Sequence, residues 1–456
     1  MKTSFEPFGL NEHQRMIRES VLDLLADVLP RQRIKALDAA GEFPHEAYQA
    51  LGAAGWMGLP FPEEHGGSGG SNKDLAVLAE ALGQHYGGVA VAYLTSVVYA
   101  GMHLLHSGSA HIKRSYIPRL ARGEIKLSIA MSEPKGGSDV ASIGTRAVRD
   151  GGAYVIDGSK IYITNAHVAD YLVVVAKTKP DAGHRGVSMF LVDARAPGIT
   201  VRPLEMLGRR TTHANEVFFD AVRVPADHLL GEENAAWRGL MKGLNMERMC
   251  IAASGAGNTQ AIVDYTVDYA TQRLQFGQPI SRFQVIQHRI VDMRILAETA
   301  RLMSYRVADM LDAGLDPVLE TSMAKIVATD NNFACANMGM QILGGAGYTM
   351  EYDMQMYFRD SRVGPIGAGA EGPAGAGEHD DAHPRVALDQ FEGARQLVAH
   401  RPGQGVHRRG AVQRDAGRGP IPLEAQFGEF LQACLLVGSE VFWIRARLVG
   451  SHAADR

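Results

Sequence analysis

Cysteine is scarce in this chain of 456 residues: Cys250, Cys335 and Cys434 form an odd, scattered set. They have neither the pairing of a disulfide framework nor the spacing of a zinc site, so buried free thiols are expected. An excess of one charge is also missing, because 46 Lys and Arg stand against 50 Asp and Glu for a net charge of −4. That balance gives no general pull on nucleic acid or anionic lipid. No uninterrupted apolar run approaches the roughly 18 residues of a membrane span. Met1 to Leu10 has no basic stretch followed by an apolar core, which makes a cytoplasmic address the default expectation.

What remains is an ordinary globular mixture, 46% apolar and 21% charged, long enough for about three domains at roughly 150 residues each. Residues 1–123 read as helices broken by turns, with apolar spacing near 3.6 in Asp74 to Leu82 and punctuation at Pro60, Pro62 and Gly66 to Gly70. Over 124–235 the period changes to two. Tyr154 to Thr164 reads as two β-rich runs about Asp157-Gly158, a hairpin signal, and Tyr171–Ala176, Val187–Val192 and Glu216–Phe219 continue the style. Over 236–366 the helical period returns, with Ile286, Ile290, Met293 and Ala297 along one stripe. The expected fold is α+β: an N-terminal helical domain, a middle antiparallel β domain and a C-terminal helical bundle.

Residues 367–456 differ from the rest. Gly367 to Pro420 holds eleven glycines and seven arginines but no lysine, with no sustained periodicity, and such a segment cannot easily bury a core. Poor order is expected there. Arg, Gly and Ala without Lys is also what a GC-rich gene yields out of frame, so a frameshift or non-native extension is a working hypothesis for the tail. Ile421 to Gly450 is more apolar and compatible with a helix, though Glu440, Arg445 and Arg447 count against a span.

Ala130-Met-Ser-Glu-Pro-Lys-Gly-Gly-Ser-Asp-Val-Ala-Ser142 opens the β zone. Small residues and hydroxyls here let backbone donors approach a flat or anionic ligand, although alone the stretch reads as a Gly/Ser-rich turn. It resembles the first signature of the acyl-CoA dehydrogenases, FAD flavoproteins that desaturate acyl-CoA thioesters. Further resemblances follow in that family's order: Pro62-Glu-Glu-His-Gly-Gly67, with His65 where an aromatic is common; Gly158-Ser-Lys-Ile-Tyr-Ile-Thr-Asn165; Arg273-Leu-Gln-Phe-Gly277; and Gln341-Ile-Leu-Gly-Gly-Ala-Gly-Tyr348. Together they run to about Ile366, roughly four-fifths of the chain.

Thioester α,β-dehydrogenation needs a base for the α-proton, an acceptor for the β-hydride and donors on the thioester oxygen. No side chain accepts a hydride, so a redox cofactor must. On a helix Glu247, Ile251, Ser254, Gly255 and Asn258 share a face, an acid beside small residues that leave room for an acyl chain. Periodicity alone leaves open a surface Glu beside Arg248. The resemblance makes Glu247 the base, as in the branch that includes isovaleryl-CoA and long-chain enzymes, and makes Arg248 a substrate contact. The other branch carries its base just after Arg359-Asp-Ser-Arg-Val-Gly-Pro-Ile366, at the position of Ala368, which cannot take a proton. Glu371 is a poor candidate.

By the same resemblance FAD is the cofactor. Ser132 and Thr164 would hydrogen-bond the isoalloxazine, Tyr162 would pack against it, and Ser138 would lie near flavin and substrate. Arg273, Phe276, Gln341, Gly344 and Gly345 would contact the dinucleotide across a subunit interface, which implies a homodimer or homotetramer. Electron-transfer flavoprotein is the implied acceptor and fatty acid metabolism the implied setting. Departures are Lys135, Met356, Asn234, Ala236 and, most of all, Gly369-Ala-Glu-Gly-Pro373 in place of the family's Gly-Thr-Ser-Glu continuation. The competing readings are an acyl-CoA oxidase or carrier-protein-thioester dehydrogenase of the same fold, and a non-catalytic or truncated-frame homologue with weakened FAD binding. His103 with His106, and His379 with His383, lack a third ligand. The first pair is expected on a helix surface, and no metal site is assigned.

Overall fold

The computed structural model describes residues 9–136 and 140–367. Ser138, Ala368, Glu371, His379, His383 and the tail therefore lie outside the described residues. Asn11 caps α1 (Glu12–Val28) through a reciprocal pair of bonds with Gln14. After α2 (Arg31–Ala40) and α3 (His45–Ala53), Ser71 and Asp74 form the same capping box on α4 (Asn72–His85), satisfying amides that would otherwise be left unpaired. Next, α5 (Gly87–Tyr93) runs through a π-helical segment (Leu94–Gly101) into α6 (Met102–Ser107), followed by α7 (Ala110–Ala121). The continuous Gly87–Ser107 stretch is long and apolar enough to cross a membrane by length and composition, but 83% of its most apolar window is buried inside the protein. It is a core helix here.

The strands are β1 (Leu127–Ala130), β2 (Arg146–Asp150), β3 (Ala153–Thr164), β4 (Tyr171–Lys177), β5 (Val187–Asp193), β6 (Ile199–Pro203), β7 (Ala214–Pro225) and β8 (Leu229–Leu230). They form one sheet in the order β6-β7-β3-β2-β4-β5-β8, with β1 added alongside β4. All pairings are antiparallel except β1 with β4 and the single β2–β4 bridge. The expected hairpin within Tyr154–Thr164 does not form. Those residues belong to one twelve-residue strand, and Asp157-Gly158 is a bulge where the register against β7 slips. Gly158 holds φ +147°, a side chain there would collide with Thr145, and the Asp157 carboxylate accepts the Ala221 amide at 2.8 Å. Local Asp-Gly chemistry thus served a bulge, while the true turn lies at Gly151-Gly152 between β2 and β3.

The second helical group comprises α8 (Ala236–Gln272), a short ribbon of β9 (Leu274–Gln275) and β10 (Gln278–Pro279), α9 (Gln284–Asp312), α10 (Val318–Leu343) and α11 (Met354–Ser361). Helix α8 packs against α4, α9 and α10. Close backbone approach explains small residues on both sides of the α4 contact: a β-carbon on Gly257 of α8 would sit 1.9 Å from the Glu80 carbonyl, and one on Gly83 of α4 would sit 2.2 Å from the Ser254 carbonyl. The stripe expected to leave space for an acyl chain is therefore partly occupied by helix contact. The stripe on α9 is placed as expected, with Met293 and Ala297 buried and Ile286 and Ile290 packed against the same cluster.

Candidate active site

Glu247 lies in the first third of α8, shortly before the fully buried Met249 and Cys250. It is surrounded by protein yet keeps partial exposure. Burial pushes its carboxyl up to about 7, against the opposing pull of Arg248 and Lys325. That value suits a base working near neutrality, because desolvation has raised proton affinity without removing the means to ionise. Tyr99, from the π-helical segment, lies within electrostatic reach of the same carboxylate, and burial and that charge push its phenol well up. A π-bulge commonly marks a functional site. Arg248 has a buried Nε with no hydrogen-bond partner among the described residues. A guanidinium left in that state fits a polar ligand arriving from outside the chain.

A second group forms around the end of β3. The Ser132 carbonyl accepts the Ile161 amide at 3.0 Å, which draws the loop after β1 against the last part of β3. Tyr162 there has φ +61° and is 62% exposed. A non-glycine aromatic held in the left-handed region on an open surface is a strained position of the kind that clusters at ligand sites. Thr164 is half-buried and its carbonyl accepts the Ser128 hydroxyl at 2.6 Å. Two residues without an assigned role hold this loop. Lys160 is fully buried and bonds the Met131 carbonyl at 2.9 Å and Glu133 at 2.8 Å, while Glu133 also accepts the Gly144 and Thr145 amides. Burial pulls the ammonium down to about 8. Burial opposes ionisation of Glu133 as well, but Lys160 and the donors outweigh it and hold the carboxyl below its ordinary value. The signal was available: Lys160 falls on the inward parity of β3, with Tyr154 and Ile156, where a charge needs a partner.

The third group is open. Arg273 lines a cleft of about 420 Å³ together with Tyr269, Gly344, Gly345 and Tyr352. Gly344 has φ +62°, and a β-carbon at either glycine would meet nothing within 4 Å among the described residues. Gln341 is exposed on the last turn of α10, and Phe276 is 91% exposed at φ +52°, its ring edge-on to Phe283. A fixed cation, bare backbone and a projecting ring suit the phosphates and flat groups of a dinucleotide, so these residues fit FAD. The structure brings Arg273, Gly344 and Gly345 together in one cleft; Ser132, Tyr162 and Thr164 gather elsewhere, at β3.

Several other positions resolve differently from their sequence pattern. His103 is buried, not on a surface: its ring packs where a Gly243 side chain would be, and burial pulls its pKa down to about 4. The Arg359-Asp360 pair is engaged in the scaffold. Arg359 binds Asp38 at 2.7 Å, and Asp360 accepts the Arg209 amide at 2.6 Å. Asn234, standing where a glycine is common, adopts φ +67° and accepts the Thr178 hydroxyl at 2.7 Å. Met356 is buried.

Comparison with known proteins follows the same three zones. Residues 11–124, 128–222 and 234–372 match the acyl-CoA dehydrogenase N-terminal, middle and C-terminal domains respectively. An acyl-CoA dehydrogenase of Bacillus subtilis (strain 168) is 36% identical over 362 residues, 78% of this chain and 94% of the relative. Among solved structures, a glutaryl-coenzyme A dehydrogenase in complex with glutaryl-CoA superposes with a TM-score of 0.76 at 32% identity, covering 80% of this chain and 93% of that one. A prolyl acyl carrier protein oxidase superposes with a TM-score of 0.76 at 28% identity, over 79% and 96% of the two chains.

Proposed function

Since the chain belongs to the acyl-CoA dehydrogenase family, oxidoreductases of the CH-CH group whose membership implies FAD, we propose that it converts an acyl-CoA thioester to the trans-2-enoyl-CoA. The observation that carries this reading is Glu247: a partly exposed carboxyl pushed up to about 7 by burial, beside an arginine whose Nε has no hydrogen-bond partner among the described residues. In this reading a Glu247 carboxylate oxygen takes the α-proton and its burial excludes water. Arg248 binds the carrier end of the substrate. Lys160 and Glu133 keep the Ser132 loop against Tyr162 and Thr164, and Ser138, outside the described residues, would by family resemblance lie near flavin and substrate. Bound FAD supplies the hydride acceptor that no side chain provides. Arg273, Phe276, Gln341, Gly344 and Gly345 would hold its phosphates and adenosine side.

Assembly as a homodimer or homotetramer is supported by an apolar surface left open on the bundle: Val285, Ile295 and Leu302 on α9, Leu319, Met323 and Ile326 on α10. Patches of that kind mark interfaces. A cytoplasmic address, a place in fatty acid metabolism and electron-transfer flavoprotein as acceptor complete the proposal. A second reading, in which oxygen is the acceptor or the thioester is on a carrier protein, is favoured by the likeness to the prolyl acyl carrier protein oxidase. Anaerobic screening of straight and branched acyl-CoA thioesters for flavin bleaching tests the main reading. Bleaching by one class of thioester supports it, and rapid peroxide formation in air would move the assignment to an oxidase.

A further inference from the structure

Deep in the second bundle sits a cation that the dehydrogenation chemistry does not call for. Lys325 of α10 is completely buried, and its Nζ donates to the Gly367 carbonyl at 2.5 Å. Gly367 closes a short run of turns in which the Gly364 amide bonds the Ser361 carbonyl, while the Ile366 and Gly367 amides both bond the Val363 carbonyl. Across the α8–α10 contact, where Gly255 faces Ala328, the same ammonium is within electrostatic reach of Glu247. A buried ammonium is costly to keep charged, so a fold that places one here needs compensating acceptors or charge nearby. One side chain thus joins the segment that follows α11 to the surroundings of the carboxylate.

We propose that Lys325 is a positioning residue for the base: it clasps the backbone at Gly367 and sets its charge opposite Glu247, so that the geometry of the segment after α11 and the ionisation of the carboxylate depend on each other. The inference rests on the reading of Glu247 as the base. Among the described residues, the other groups within electrostatic reach of Glu247 are Arg248 and Cys250 on its own helix and Tyr99 from the π-helical segment. His103 lies one turn back, against Gly243. Burial raises the proton affinity of the carboxyl, while Arg248 and Lys325 lower it. Removing the Lys325 charge therefore shifts the balance toward the protonated acid, since a nearby opposite charge is what favours the ionised form.

The test is an infrared difference titration of the purified full chain, with Glu247→Gln identifying the carboxyl band, so that no turnover is needed. In Lys325→Met the titration midpoint should rise by about one pH unit, and the amides of Gly364, Ile366 and Gly367 should exchange faster with deuterium. Lys325→Arg should restore both. Lys325→Gln, which keeps a donor for Gly367 without the charge, should retain slow exchange yet still titrate higher. It also serves if Lys325→Met fails to fold. A Lys325→Gln midpoint equal to that of the unaltered chain overturns the proposal. The two ideas can fail separately: flavin reduction unchanged in Glu247→Gln removes the base assignment whatever Lys325 does, while a dead Glu247→Gln with an unmoved Lys325→Gln titration removes only the role of Lys325.

Discussion

The surroundings of Glu247 and the cleft around Arg273 are built on opposite principles. Around Glu247 everything comes from one chain: α8 supplies the acid, α10 a buried cation, the π-helical segment a phenol, and burial does the electrostatic work. Around Arg273 the chain offers donors, bare glycines and an exposed Phe276, next to helices whose apolar stripes face outward. The contrast teaches that proton affinity can be tuned by a single fold, because desolvation needs only surrounding atoms, whereas a cleft that leaves its cation, glycines and ring facing outward has room for a large charged group.

The sharpest way to break that contrast is at the acid. Glu247→Gln should slow anaerobic flavin reduction by about a hundredfold to ten-thousandfold, the usual worth of a positioned proton acceptor, while FAD content and thioester binding measured by calorimetry stay unchanged. At the open end Arg273→Ala should weaken FAD retention by about ten- to a hundredfold, as expected for one charge-assisted hydrogen bond. Fluorescence titration of the apoprotein reads this, and the Glu247 titration should not move. Acidity provides the next lever. The base works only when ionised, so the reduction rate should rise about tenfold per pH unit below the Glu247 value of about 7 and flatten above it. A stopped-flow profile that is flat from pH 5 to 9 would contradict this. The smallest expected effect concerns the helix contact behind the acid: Gly257→Ala drives a β-carbon into the Glu80 carbonyl and should cost about 1–3 kcal/mol, seen as a lower Tm with FAD binding retained.

How much could be read without coordinates varies with the residue. Glu247 is one acid among many by periodicity, and only its neighbourhood in the motif order singled it out. Its raised proton affinity was beyond reach, since burial in the folded protein raises it and Lys325, far along the chain, opposes it. Lys160 was readable from strand parity, but the identity of its partner was not. Asp157-Gly158 misled because a turn and a bulge ask for the same residues, and only the long partner strand β7 distinguishes them. His103 was misassigned for a similar reason: a polar residue on a helix reads as exposed until a glycine on another helix makes room for it.

Helix and strand periods were enough to set out a helical, then β, then helical chain, because they depend on neighbours within a few residues, and the order of short motifs carried the resemblance to a flavoprotein family. Which acid is buried, which lysine faces it and which cleft stays open were decided by the packing of α4, α8 and α10. Desolvation and charge pairing depend on distance in space, and residues 247 and 325 are brought close by folding alone.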